Sequence, residues 1–87
     1  MYMNDKDVLI KNIEKIHTTP LGVERIKRNL KLSTDDVVEY CVDLIIDENS
    51  NVTKNGKNFY INIGDTEITV NSSSFTIITA HLKKGMK

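Results

Sequence analysis

The rhythm of apolar and polar positions changes once along this chain, near Ser50. Before it, apolar residues recur at helical spacing; after it, they alternate. Leu9, Ile13 and Ile16 stand at i, i+4 and i+7 and predict a helix over Asn4 to Ile16, with Asn4 or Asp5 as its cap. Thr19-Pro20 restarts the pattern, because threonine caps a helix and proline fits its first turn. Val23, Ile26 and Leu30 then form the apolar stripe of a second helix and leave Arg25, Lys27 and Arg28 on its other faces. A third helix starts at Ser33-Thr34-Asp35-Asp36, where a hydroxyl cap and two carboxylates meet the positive end of the helix dipole. Its stripe is Val37, Val38, Cys41, Leu44 and Ile45, and Asp47 to Ser50 is a polar stop.

The second half reads as a meander. Asn55-Gly56 has the composition of a type I′ hairpin turn, since both residues tolerate positive φ. Phe59, Ile61 and Ile63 alternate with Asn58, Tyr60 and Asn62. Gly64-Asp65 turns the chain, after which Ile68 and Val70 alternate with Glu67, Thr69 and Asn71. Asn71 to Ser74 is a loop, and Phe75 to Leu82 is a last strand, apolar on both faces over part of its length and so expected to be the most covered. The expected fold is α+β: three N-terminal helices packed on one face of a three- to four-stranded antiparallel sheet. It is a single domain over 1–87, with a helical part at 4–49, a β-meander at 51–82 and a basic tail at 83–87. Phe59, Ile61, Ile63, Ile68 and Val70 would face the helices, leaving Asn58, Tyr60, Asn62, Thr69 and Asn71 on the other side.

Composition narrows the function classes. Eighty-seven residues are too few for two independent cores. Twelve basic residues balance twelve acidic ones for a net charge of 0, which argues against strong non-specific attraction to nucleic acid or anionic membrane. No apolar run approaches the roughly 20 residues of a membrane span. The polar start of the chain lacks the apolar core of a secretory leader, so cytoplasm is the expected compartment. Cys41 is the one cysteine, which excludes an internal disulfide, and its place on an apolar stripe marks it as core. No metal-ligand spacing and no cofactor fingerprint occurs, so neither a metal nor a cofactor is expected.

Chemistry rests on a handful of side chains. His81 lies on one strand face with Thr79, and further back with Ile77 and Phe75. An imidazole beside a hydroxyl is a possible acid–base pair, although a polar residue near a strand end is the commoner role. His17, in His17-Thr18-Thr19-Pro20, is expected to bond the last carbonyls of the first helix; a catalytic role would require it to reach the open sheet face. Arg25, within the basic run Arg25, Lys27, Arg28, has the fork geometry that grips phosphate, with Asp35, Asp36 and Glu39 nearby to compensate it. Lys57 and Asn58 beside the hairpin are further candidates for a backbone phosphate. Tyr60 offers a stacking surface and Asn71 an amide on the same face.

The blocks His17-Thr18-Thr19-Pro20-Leu21-Gly22-Val23-Glu24-Arg25-Ile26, Gly56-Lys57-Asn58-Phe59-Tyr60, Ile68-Thr69-Val70-Asn71 and Phe75-Thr76-Ile77-Ile78-Thr79-Ala80-His81 resemble those of a small bacterial domain-of-unknown-function family found mainly in Firmicutes-type bacteria. That resemblance spans nearly the whole chain and implies no activity. A shorter one, in helices followed by a sheet whose last strand ends Thr79-Ala80-His81, is similar to the barnase, RelE and colicin-type ribonucleases. It implies metal-independent RNA cleavage with Thr79 and His81 on the terminal strand and Lys57 and Tyr60 as helpers.

Three functions follow in order. First is a non-catalytic binding domain whose polar sheet face or basic second helix meets a protein, RNA or nucleotide, with Arg25, Lys57, Asn58, Tyr60 and Asn71 as contacts. Second is a metal-independent endoribonuclease using His81, Thr79 and His17. Third is a small inhibitor or regulator from a mobile element. An edge strand near Asn51 to Lys54 would also permit a homodimer.

Overall fold

The structure is a computed structural model that describes residues 4–83, so the expected basic tail lies, from Lys84 onward, outside the described residues. Helix α1 spans Asp5–Lys11, and Asn4 caps it by accepting the Asp7 amide at 2.8 Å. It is shorter than the spacing of Leu9, Ile13 and Ile16 predicts. The Asn12 amide is shared between the Val8 and Leu9 carbonyls, and its side chain also donates to the Val8 carbonyl at 2.9 Å. That competition tightens the chain into a 3-10 turn at Ile13–Lys15 and releases it as extended backbone at Ile16.

Helix α2, Pro20–Asn29, begins as predicted: Thr19 accepts the Gly22 amide at 3.0 Å and Pro20 fills the first turn. It ends in a Schellman motif that the sequence hides. Lys31 takes the left-handed conformation (φ 58), and the Lys31 and Leu32 amides bond the Arg28 and Lys27 carbonyls. Helix α3, Val37–Ile46, starts later than Ser33-Thr34 suggests. Asp36 is the cap, accepting the Glu39 amide, while Thr34 accepts the Asp36 amide one step earlier. The carboxylate takes the cap because Thr34 is already committed to the preceding turn.

Four strands follow: β1 Asn51–Asn55, β2 Asn58–Ile63, β3 Thr66–Asn71 and β4 Ile77–Leu82. They form one antiparallel sheet in the order β1-β2-β3-β4. Asn55 pairs with Asn58 and Ile63 with Thr66, so the two hairpin turns are Gly56-Lys57 and Gly64-Asp65. Gly56 (φ 64) and Gly64 (φ 57) are the positive-φ residues there, which is the sign pattern of type II′ rather than the I′ turn predicted at Asn55-Gly56. Asn55 is instead the last residue of β1.

The core joins both halves. Leu9, Ile26, Val37, Cys41 and Ile45 from the helices meet Phe59, Ile61, Ile68, Val70, Ile77 and Ala80 from the strands. Burying aliphatic side chains of this size is worth about 1.5–3 kcal/mol each. Phe59 and Phe75 stack with ring centroids 6.4 Å apart. The last strand departs from expectation at both ends. Phe75 has φ 60 and belongs to the preceding loop, so β4 starts at Ile77. It is an edge strand with Ile78 and Leu82 exposed, and not the most covered one; β3, with Ile68, Thr69 and Val70 all buried, is more enclosed.

Candidate functional site

Strand register decides which side chains share a face, because directly paired residues point the same way. Val70 pairs with Ile77, yet Thr69 pairs with Thr79, leaving Ile78 as an extra residue in β4. This is a β-bulge, and it inverts the parity of everything after it. Ile77, before the bulge, is 1% exposed in the core; Ala80, after it, is 0% exposed. Thr79 and His81 therefore share a face with Thr69 and Glu67, and not with Ile77 as simple alternation from Phe75 predicts.

Three rows of side chains result. Thr53, Tyr60, Thr69 and Thr79 cross the sheet in one, with Thr69 only 7% exposed between Tyr60 and Thr79. Asn51, Asn62, Glu67 and His81 cross it in the next. Asn55, Asn58 and Asn71 form the third. Of the residues singled out from the sequence, Asn58, Tyr60, Asn71, Thr79 and His81 thus lie on one face. Strands are about 4.8 Å apart, which puts Tyr60 and Thr79 roughly 10 Å from each other across Thr69.

Glu67 is the functional candidate the sequence did not offer. Its Oε1 lies 3.5 Å from His81 Nε2, a contact that exists only through the bulged register. The two side chains are 29% and 43% exposed, so the pair contributes little to stability but leaves both groups open to a ligand. The Asn58 amide nitrogen lies 3.5 Å from the Tyr60 hydroxyl, and the buried Asn58 Oδ1 has no hydrogen-bond partner.

At the end of the third row, Asn71 has a structural task. Its Oδ1 accepts the Ser73 and Ser74 amides at 2.9 Å each and the Ser74 hydroxyl at 3.2 Å, shaping the β3–β4 loop. The Ser72 amide donates to the Lys57 carbonyl at 2.8 Å, so the turn that carries Lys57 sits against this loop. His17 comes to the same end. Its backbone bridges Thr76 in parallel, its Nδ1 lies 2.8 Å from the Lys15 carbonyl, and its Nε2 lies 3.0 Å from Thr76 Oγ1. The carbonyl it meets belongs to the 3-10 turn and not, as expected from sequence, to the end of the first helix, because α1 stops at Lys11. His17 does not join His81: Thr76 and His81 are separated by about 15 Å of strand. Arg25 is exposed on α2, with no side-chain bond to any of these residues.

Both sheet edges carry side-chain partners from the N-terminal half. The Lys54 amide on β1 donates to Asp5 Oδ2 at 3.2 Å. On β4, Thr18 donates to the Ile77 carbonyl at 3.0 Å and Asn29 to the Ala80 carbonyl at 3.2 Å, while the Ile77 amide donates to the His17 carbonyl.

Elsewhere, a shallow hollow is lined by Thr34, Asp36, Glu39, Tyr40 and Asp43. The Asp36 carboxyl beside Glu39, then the charge of Asp43, push the Glu39 carboxyl above its ordinary range. Lys27 pairs with Asp35 and holds its carboxyl below the usual value. Burial pushes the Cys41 thiol up to about 12, which leaves it inert as a nucleophile. Among the described residues, no three His, Cys, Asp or Glu side chains converge on a possible metal position, and no helix is long and apolar enough to cross a membrane.

No curated protein and no solved structure matches the chain. A family model described as "Protein of unknown function (DUF3781)" matches residues 10–81, from Ile10 in α1 to His81 in β4. The chain belongs to that family, in agreement with the expected membership of a domain-of-unknown-function family.

Proposed function

We propose that this protein is a binding domain whose polar sheet face meets a protein partner. In this reading the three helices pack on the opposite face, a placement supported by the shared core of Leu9, Ile26 and Ile45 with Ile61, Ile68 and Ala80. The observation that carries it is the composition of the three rows. They present amides, hydroxyls, one tyrosine and the Glu67–His81 pair, and contain neither lysine nor arginine. Phosphate contacts dominate nucleic-acid affinity, so a face without cations favours a protein over RNA. The edges are less suited to strand addition, because Asp5, Thr18 and Asn29 already bond their outward groups. The same feature disfavours a homodimer through β1. A lone buried thiol suits the reducing cytoplasm as the working compartment.

The test is a photo-crosslinking amino acid placed at Tyr60 and, separately, at Arg25, in cells that express the protein. The reading expects one discrete adduct from position 60, absent from position 25 and abolished by Thr79→Arg. Equal labelling from both positions, or none from position 60, would overturn it.

A second reading is supported by the Glu67–His81 contact. A carboxylate base beside an imidazole acid is the equipment for metal-independent attack of a 2′-hydroxyl on its phosphate, with Thr79 alongside. It ranks second because the three rows hold no cation to steady the phosphate. Labelled RNA cleaved by the wild type but not by Glu67→Gln or His81→Ala would promote it above the binding reading.

A further inference from the structure

At the other end of β4, a hydrogen-bonded chain runs from the Lys15 carbonyl through His17, Thr76 and Ser74 to Asn71. The Lys15 carbonyl is purely an acceptor, so His17 Nδ1, 2.8 Å away, carries the ring hydrogen of the neutral imidazole. That leaves His17 Nε2 as the acceptor for the Thr76 hydroxyl, 3.0 Å away. Ser74 Oγ lies 2.7 Å from Thr76 Oγ1 and 3.2 Å from Asn71 Oδ1, which ties the chain to the loop. A hydroxyl hydrogen-bonded to an imidazole whose other nitrogen is fixed by a third group is the arrangement of a base-activated nucleophile. Contacts on both sides tie the segment down. Thr76 is bracketed by the His17 backbone bridge, and Phe75, at φ 60, is 8% exposed and stacked on Phe59.

We propose that Thr76 is an acyl-acceptor site activated by His17, taking the acyl group of small activated carboxylic esters. Thr76 Oγ1 attacks the ester carbonyl carbon while its proton passes to His17 Nε2. The carbon–oxygen bond to the leaving group then breaks, and His17 returns the proton to the departing alkoxide. The product is a Thr76 ester and a free alcohol, with no outside oxidant or co-reactant. The neighbouring amides are committed: Ser74 N–H donates to Asn71 Oδ1 and Thr76 N–H to Ser74 Oγ. Without a free pair of amides to stabilise the oxyanion, an interaction worth about a hundredfold or more in rate, the expected chemistry is slow, stoichiometric acylation and not rapid turnover.

The experiment treats the full chain with p-nitrophenyl acetate and locates acetyl groups by peptide mass spectrometry, with Thr53 as the internal control. Thr53 is an exposed strand threonine with no imidazole bonded to it. Thr76 is expected to acylate at least about a hundredfold faster than Thr53, to lose that advantage in His17→Gln, and to retain it in Thr76→Ser. Labelling of Thr76 no faster than Thr53 overturns the proposal on the wild type alone, whatever the variants do. Undiminished labelling of Thr76 in a folded His17→Gln protein overturns it equally.

Discussion

Thr69 pairs with Thr79, although the preceding pair in the same ladder is Val70 with Ile77. The one-residue excess at Ile78 swings Thr79 and His81 onto the face of Tyr60 and Glu67, and returns Ala80 to the core. A regular ladder would set Thr79 opposite Ile68 and Ala80 opposite Glu67, burying the polar pair and exposing the alanine. Apolar burial and polar exposure on β4 are both satisfied only by the bulge.

Ile78 is the residue the bulge absorbs, so the parity of β4 should survive its removal. Deleting Ile78 joins Ile77 to Thr79 in a regular ladder that keeps Ala80 inward and Thr79 and His81 outward, so the protein should still fold, within about 3 kcal/mol of wild type. Ile78→Thr, at a site 45% exposed, should stay within about 1 kcal/mol of wild type. Urea unfolding followed by circular dichroism measures both.

Gly22 sits where a methyl group would collide with the Thr18 hydroxyl, the donor that fixes the start of α2 to the Ile77 carbonyl. Gly22→Ala should cost about 1–3 kcal/mol through overpacking. In a Thr18→Ala background the same substitution should cost clearly less, since the colliding atom is gone. A double-mutant cycle by chemical denaturation measures that coupling.

Lys31 occupies the left-handed position of the α2 Schellman motif, where a side chain is disfavoured. Lys31→Gly should stabilise the protein by about 1 kcal/mol and raise the thermal midpoint.

Glu39 has a folded-state pKa raised by the Asp36 carboxyl and by Asp43. A raised carboxyl favours the protonated form when folded, so stability is lost as pH rises from the unfolded value through the folded one. Glu39→Gln keeps a side chain able to complete the capping box while removing the charge. Its thermal midpoint should exceed that of wild type at neutral pH, and the two should converge at roughly pH 3, where carboxyls are protonated.

Cys41 is subject to the same sign of linkage at the alkaline end. Burial raises its thiol from 9.0 to about 12, so the unfolded thiol ionises first and stability falls between those values. In the native protein at neutral pH, Cys41 should resist thiol reagents and become reactive only on unfolding, which a thiol-titration time course reads directly.

Local rules made much of this fold legible. The Asn4 and Thr19-Pro20 caps, the α3 stripe and the alternation of β2 and β3 each follow from residues within one or two turns of each other. What escaped is nonlocal or lacks a signature residue. Lys31 ends α2 where glycine would announce the motif, and Asn12 diverts α1 through an amide that also fits a helix. The bulge has no composition signal, since Ile77-Ile78 reads as two ordinary strand residues; the pairing of Glu67 with His81 is hidden with it. The hydrogen bond of His17 to Thr76 joins residues from opposite halves of the chain, and no spacing predicts it.

Everything assigned to the polar face depends on the parity of β4, and cross-strand nuclear Overhauser effects test it most directly. The account predicts contacts from the Ala80 methyl to Ile68 and the buried core, and from the Thr79 methyl to Thr69 on the other side. Contacts from the Thr79 methyl to Ile68, with Ala80 opposite Glu67, would mean an unbulged strand and would contradict the site.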